Sequence, residues 1–380
     1  MEGFYKDLLE AVALSTDRAI IRIRVSYEPS GGEGARIFPP TYPAERGSPY
    51  VIEKRCTDSG TRQDVLLDSV PSQANRAEQA LLQARDEGRV ELPMLQIDHV
   101  GTTPIRLTSL DLPHRYADAY LLDSEIDGAK FDRSEIGRSF QAATPQNATA
   151  LFQHDPGSLV FGAWNSHRKG RQAKFPRVYS SEIIGWDPEI GERKAGRMDP
   201  LNLTGGGTRS DDGDLNFIPV AEKVKGQKLS ELGHGNIAPN STHGGVTVSS
   251  AERFATISLA ALDRLGFGPV SSDAAIAGRV ALAAYALLAD RLAFGGPSLW
   301  LRSGCELIVT KERLEWVTRG GGVEPIELGA SQAIELYNLA VAESARAGLA
   351  MTMEPLRLTP GKGLRAAIDF ALSRADSSGE

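Results

Sequence analysis

Between Ala19 and Val25 the chain alternates strictly, with Ala19, Ile21, Ile23 and Val25 on one face and Arg22 and Arg24 on the other. A period of two is the pattern of a half-buried strand, packed on one side and open on the other. Before it, GFYKDLLEAVAL at 3–14 has the spacing of a short amphipathic helix. Ala74, Ala77, Leu81 and Ala84 line one face of a second helix, expected to start at Ser72 as N-cap and to stop at Gly88. Residues 92–100 read as a strand and about 145–154 as a short helix. The apolar runs 159–164 and 178–184 read as two strands around a polar loop. SAERFATISLAALDRL at 250–265 predicts a helix, and AAIAGRVALAAYALLA predicts the centre of another over 272–294, capped by Ser272 and stopped by Gly295 and Gly296. Two strands, one over 299–301 continuing through 305–309 and one over 314–318, joined by a turn at Lys311, Glu312 and Arg313, lead into helices at 330–347 and 362–373.

Strands and helices mixed without a regular βαβ repeat point to an α+β fold. The almost uniformly apolar helix centred on 274–289 is interrupted by Gly278 and Arg279 and falls short of the roughly 20 residues that span a bilayer. It is expected to be a buried core helix, with no membrane partner. Residues 188–245 mix Pro, Gly and charge, and predict long loops or an excursion that packs on something outside the monomer. Gly205, Gly206 and Gly207 lack the Lys-Ser/Thr that closes a phosphate loop, and Asp211, Asp212 and Asp214 lack the Gly and terminal Glu of a calcium loop. No metal and no cofactor is assigned. The N-terminus has no basic segment leading into an apolar one, and Cys56 and Cys305 make no disulfide framework, so a cytoplasmic protein is expected.

Charge changes the picture at a few places. The net charge of −7 excludes a protein that coats nucleic acid indiscriminately. Yet His167, Arg168, Lys169, Arg171, Lys174 and Arg177 follow one another with no acidic residue between them. Cations so crowded need full solvation, as on a solvated turn, or a phosphate-rich partner. Arg22 and Arg24 are RNA ligands if their sheet face is open to RNA, or merely keep that face soluble. Ser72, Gln73, Asn75 and Arg76 in the first turn of a helix form a phosphate site; a capped helix accounts for the serine, less well for the other three. His114 and Arg115, just past Pro113, stand at a turn where a histidine can stack on a base or cap a helix. No HExxH, Gly-x-Ser-x-Gly, Cys-x-x-Cys or Gly-x-Gly-x-x-Gly signature is present. The one enzymatic alternative is a metal-independent ribonuclease using His167, His234 and His243.

IFPPTYP at 37–43, LLDSVPSQANRAEQAL at 66–81, TSLDLPHRYADAYLLDS at 108–124, LVFGAWNSHRKGRQAKFPRVYSSEIIG at 159–185 and GHGNIAPNSTHGGVTVSSAERFATISL at 233–259 resemble, in that order, the Csb-one (GSU-type) family. This is the Cas-seven backbone subunit of type I-G (formerly I-U) CRISPR effector complexes, in the RAMP superfamily. The resemblance implies a single domain over 1–380, an RRM-like (ferredoxin-like) palm with large insertions, with 188–245 as a thumb-like or inter-subunit segment. It implies a non-enzymatic subunit that polymerises with other copies of itself along CRISPR RNA and presents the spacer to a target DNA strand. Cas-five- and Cas-six-like subunits and a large subunit would complete the Cascade assembly. In that setting the 72–76 turn resembles the Ser-Gln-x-x-Arg/Lys turn that holds the guide, and the 166–177 loop would grip phosphates. Relatives that cut RNA use a loop aspartate, of which the sequence shows no convincing counterpart, Asp68 and Asp111 being the positions it leaves open.

Overall fold

A computed structural model of the protein describes residues 1–43, 48–101, 103–165, 173–192, 196, 198–201, 203–210, 212–219, 226–234 and 244–378, without the side chains of 374–378. Helix α1 (Glu2–Val12) leads into strand β1 (Arg18–Pro29), longer than expected but with the expected alternation of buried and half-exposed positions. A hairpin follows that the hydrophobic pattern does not announce, β2 (Ile52–Thr57) and β3 (Gly60–Asp68). Its turn, Asp58-Ser59-Gly60, places Gly60 at φ 112, a conformation that only glycine adopts without strain. Helix α2 (Val70–Asp86) comes next, then β4 (Tyr179–Trp186), β5 (Ser250–Ser258), α3 (Ser272–Phe294), β6 (Ser298–Arg302), β7 (Cys305–Thr318) and α4 (Ala330–Arg346).

One antiparallel sheet organises the molecule, in the order β6-β7-β1-β5-β4-β3-β2, with Val323–Pro325 added beside β7. Its central strand, β5, lies where a helix was expected. Ala251, Arg253, Ala255 and Ile257 are buried while Glu252, Phe254, Thr256 and Ser258 are half-exposed. The helix-forming alanines are therefore the small residues of a buried strand face, and period two prevails over local propensity because β1 and β4 pair on both sides. Only Leu259–Asp263 is helical. Lys311, Glu312 and Arg313 are likewise not a turn: β7 runs through them, with a register shift between Ser26 and Tyr27 of β1 that marks a bulge.

Helices α1, α2 and α4 pack on one face of this sheet around α3, which touches all three, whereas the C-terminal helix Lys362–Ser378 lies against Leu356–Pro360. Alone among the described residues α3 is long and apolar enough to cross a bilayer, but it is buried almost all round, with Val280 to Ala289 fully inside. Both caps sit earlier than expected, Ser69 in place of Ser72 and Ser271 in place of its neighbour Ser272: Ser69 accepts from the amide of Ser72, and Ser271 from that of Ala274. A second, five-stranded sheet holds Leu95–His99 and Leu356–Pro360 in parallel. Residues 156–160 form a helical turn rather than the start of a strand, and the short strand Ala163–Trp164 pairs with Lys174–Phe175 instead of β4. The 187–249 stretch lies between the paired strands β4 and β5 and carries a three-stranded sheet of its own, Gly206–Arg209, Leu215–Ile218 and Gln227–Lys228.

Candidate nucleic-acid interface

The sheet face away from the helices presents Arg22, Arg24, Ser180, Glu182, Phe254 and Thr256 around a shallow cavity of about 350 Å³. β1 puts both arginines there, as its alternation requires. Neither is without a carboxylate, however: Arg22 binds Glu315 at 2.5 Å, and Arg24 lies 3.8 Å from Glu252 with its guanidinium 4.2 Å above the Phe254 ring. Half-exposed ion pairs of this kind are worth about 0–1 kcal/mol, so a phosphate can displace them. The face is nonetheless close to neutral, and less of an anion site than two bare arginines would make.

The first turn of α2 departs further from expectation. Ser72 Oγ donates to Asp68 at 2.7 Å, the Gln73 amide donates to it at 2.5 Å and Arg76 Nε at 2.9 Å, while Arg302 approaches at 3.4 Å. Asp68 is buried, and Gln73 has no exposed surface. Gln73 cannot be an RNA ligand here, and Ser72 and Arg76 are turned inward onto a carboxylate that one sequence cannot reveal as their partner. The Gln73 carbonyl in turn accepts from Ser181 and Arg253. Of the four expected ligands in this turn only Asn75 is exposed.

A larger cleft, of about 870 Å³, opens between the 113–123 turn and the Ala163–Trp164/Lys174–Phe175 ladder. His114 is exposed at its rim, Phe161 lines its wall, and Trp164, half exposed, faces it with the Lys174 ammonium 4.2 Å above its ring. The register Trp164↔Lys174 puts these two side by side across the ladder. Lys174 and Arg177 meet no carboxylate among the described residues, in contrast to Arg22 and Arg24. Asp123 is the cleft's one lining acid among the described residues.

Arg115 lines the same cleft but is its clamp rather than a free cation. It stands at φ 51, a left-handed conformation that costs a non-glycine residue about 1–3 kcal/mol. It donates twice to Glu78, at 2.5 and 2.8 Å, and once to the carbonyl of Gly162 at 2.8 Å. The guanidinium thus ties the 113–123 turn to the opposite wall, with little donor capacity left for a phosphate. Burial pushes the Glu78 carboxyl up to about 7 against the pull of Arg115, and the buried Asp155 behind it up to about 6. Gly162 itself lies at φ 84, where a Cβ would come within 2.9 Å of Arg177 Cγ and 3.1 Å of the Phe175 carbonyl oxygen. Gly162→Ala is expected to cost about 1–3 kcal/mol through that backbone conformation, as measured by urea unfolding.

His167, Arg168, Lys169 and Arg171 lie outside the described residues, as does His243 of the ribonuclease alternative. The structure therefore brings together His114, Arg115, Lys174 and Arg177 and holds Arg22 and Arg24 on a separate face. Sequence reasoning missed Trp164 and Phe254. The signal for Trp164 was an aromatic immediately before a basic run; for Phe254 it was the alternation of 250–258, hidden by alanine content. Among the described residues no cluster of His, Cys, Asp and Glu could hold a metal ion. Asp111 accepts from the amide and hydroxyl of Thr108 at 2.9 and 2.7 Å, closing a local turn.

Residues 21–189 match the model of the CRISPR-associated protein GSU0053 family. The matched stretch contains β1, the first turn of α2 and both walls of the cleft. Among curated proteins there is no match. The crystal structure of Thermofilum pendens Csc2 aligns over 93% of this chain and 76% of its own, at 13% identity and a TM-score of 0.25, a likeness that carries no argument about the fold.

Proposed function

We propose that this chain is a Cas-seven-like backbone subunit of a type I-G CRISPR effector complex, which binds CRISPR RNA, polymerises along it and presents the spacer to a target DNA strand. The carrying observation is the cleft, where segments some fifty residues apart in sequence converge to set Lys174 over an indole and Arg177 in the same lining, with no carboxylate among the described residues neutralising them. Phosphate contacts of that kind hold a guide of arbitrary sequence, since they read no bases. The sheet supports an RRM-like palm: β7-β1-β5-β4 is the ferredoxin-like order 4-1-3-2, every pair antiparallel, with α2 in the first crossover and α3 in the second. On this reading 30–178 carries the first insertion and the segment between β4 and β5 is the thumb, reaching the next copy. Cas-five- and Cas-six-like subunits and a large subunit complete the assembly, and a separate nuclease cuts. Free Cys56 and Cys305 fit a reducing cytoplasm.

Co-expression with a CRISPR RNA is expected to give copurified RNA of regularly stepped, protected lengths. Lys174→Ala/Arg177→Ala is expected to weaken single-stranded RNA binding and to lower the slope of log K against log salt by about 1.4, at roughly 0.7 for each phosphate that is no longer neutralised. Degradation of the RNA by the wild type without added metal would favour the ribonuclease instead.

A further inference from the structure

We infer that Glu78, Asp155 and Arg115 form a proton-sensitive latch on the 113–123 turn: two buried carboxylates share one guanidinium and a single proton, the turn is closed while the proton is bound, and its loss loosens the turn. The latch lies behind the cleft wall and does not depend on what the cleft binds.

Two acids face one base here. Glu78, on α2, and Asp155, between the short helices Thr149–His154 and Pro156–Val160, are both buried, and the guanidinium between them belongs to Arg115. With both acids ionised the cluster keeps one negative charge in excess where water does not reach, and an unpaired buried charge is costly. One bound proton removes it. The other groups packed here do not supply the missing positive charge. Tyr285 of α3 is fully buried, and burial raises its hydroxyl well above the ordinary value, as it does that of Tyr337 on α4, so both stay neutral. Asp118, which accepts from the amides of His114 and Tyr120, and the exposed Asp111 only add to the negative side. The His154 ring faces Phe140, and Lys174 and Arg177 are exposed on the opposite wall.

The bonds assign the proton. Arg115 donates to both oxygens of Glu78, at 2.5 and 2.8 Å, so Glu78 is ionised in the closed turn, and an O–H there would forfeit one of the two. Asp155 Oδ2 lies 2.6 Å from Ser158 Oγ, a hydroxyl that serves a carboxylate as donor or an acid as acceptor. The proton therefore sits on Asp155. Burial raises both carboxyls against the pull of Arg115, Glu78 the further of the two, and the bidentate pair decides which keeps its charge. When Asp155 ionises it competes with Glu78 for the guanidinium. The turn is the part that yields, because Arg115 is held at a strained φ of 51 and the segment is closed by backbone bonds of 3.0–3.1 Å from the amides of Arg115, Ala117 and Asp118.

The Asp155 carboxyl stands at about 6 in the fold against 3.8 unfolded, so the folded chain binds the extra proton between those values. The stability it contributes is present at low pH and lost as pH rises through about 6. Urea unfolding of the full chain tests this on the wild type and Asp155→Asn. From about pH 5 to about pH 8 the wild type is expected to lose about tenfold more in its folding equilibrium constant than the variant, which at the upper end is the more stable of the two. Hydrogen exchange at the amides of Arg115, Ala117 and Asp118, compared at one pH so that intrinsic rates cancel, is expected to be faster in the wild type than in Asp155→Asn at about pH 8 and equal at about pH 5. Glu78→Gln is expected to speed it at both. Parallel stability profiles overturn the shared proton; diverging profiles with equal exchange overturn the latch. Should Asp155→Asn not fold, the wild type decides alone: exchange at the three amides, divided by intrinsic rates, rises with pH if the latch operates, and a constant value overturns it.

Discussion

Asp290→Ala is expected to destabilise the fold by about 3–5 kcal/mol, because it leaves a buried guanidinium without its counter-ion. Arg253 and Asp290 are both fully buried and in direct contact, and Asp290 also takes Arg291 at 2.5 Å and the Tyr179 hydroxyl at 2.9 Å. Arg253 is further held by Ser181 at 2.9 Å and the Tyr179 hydroxyl at 2.7 Å, and lies 3.9 Å above the Phe294 ring. Deleting the carboxylate strands a charge that already has one nitrogen, Nη1, without a partner. Urea unfolding of the variant measures the loss. Arg253→Met together with Asp290→Leu is expected to recover only part of it: exchanging a buried pair for apolar side chains is often neutral, but the buried Arg291 is left with Glu312 alone.

Acid addresses the same pair. Burial drives the Asp290 carboxyl up, but Arg253 and Arg291 outweigh it and hold the group down at about 2, against 3.8 unfolded. A depressed carboxylate stabilises the fold above its unfolded value and loses that contribution as pH falls through the folded one. The wild type is therefore expected to lose stability steeply between about pH 4 and 2, and the apolar double variant to lose less over that window. Equal slopes would separate acid unfolding from this pair.

The parts of this architecture that were legible in the sequence are those whose pattern is local. β1 announces itself through Ile21, Ile23 and Val25 against Arg22 and Arg24, and α3 through a run too apolar for any surface. β5 does not, because Ala251 and Ala255 favour a helix in isolation and become strand residues only between two neighbours that are far away in sequence. The site divides in the same way. Lys174, Arg177 and His114 were visible as charge and turn chemistry, and they do meet in one cleft. Gln73, Arg76 and Arg115 looked the same and are something else, since Asp68 and Glu78 bind them. A cation's sequence gives its charge; whether it is committed to a buried acid is a property of the fold.

Asp68 is where that distinction has the largest functional consequence. It is one of the two acids that the sequence leaves open as a loop aspartate, yet it ends strand β3 and both its oxygens are occupied: Oδ1 by Ser72 and Arg302, Oδ2 by Gln73 and Arg76. A general base needs a free lone pair within reach of a substrate proton, and a carboxylate almost fully buried under two guanidinium groups offers none. The wild type and Asp68→Asn are accordingly both expected to leave single-stranded RNA intact on incubation. RNA that is cut by the wild type and spared by Asp68→Asn would make this chain a nuclease and sink the binding-only proposal. Asp68→Ala is expected to cost about 2–3 kcal/mol, less than a fully buried pair, because Arg76 and Arg302 keep 24% and 27% of their side-chain surface exposed and stay partly hydrated. The loss does not stop at Asp68. Gln73 joins it to Arg253, and Arg253 to Asp290, so one chain of polar contacts runs from the end of β3 through the first turn of α2 and β5 to the end of α3. Neighbours in one network are not additive. Asp68→Ala combined with Asp290→Ala is thus expected to cost measurably less than the sum of the two, by urea unfolding, and strict additivity would show that the Gln73 link transmits nothing.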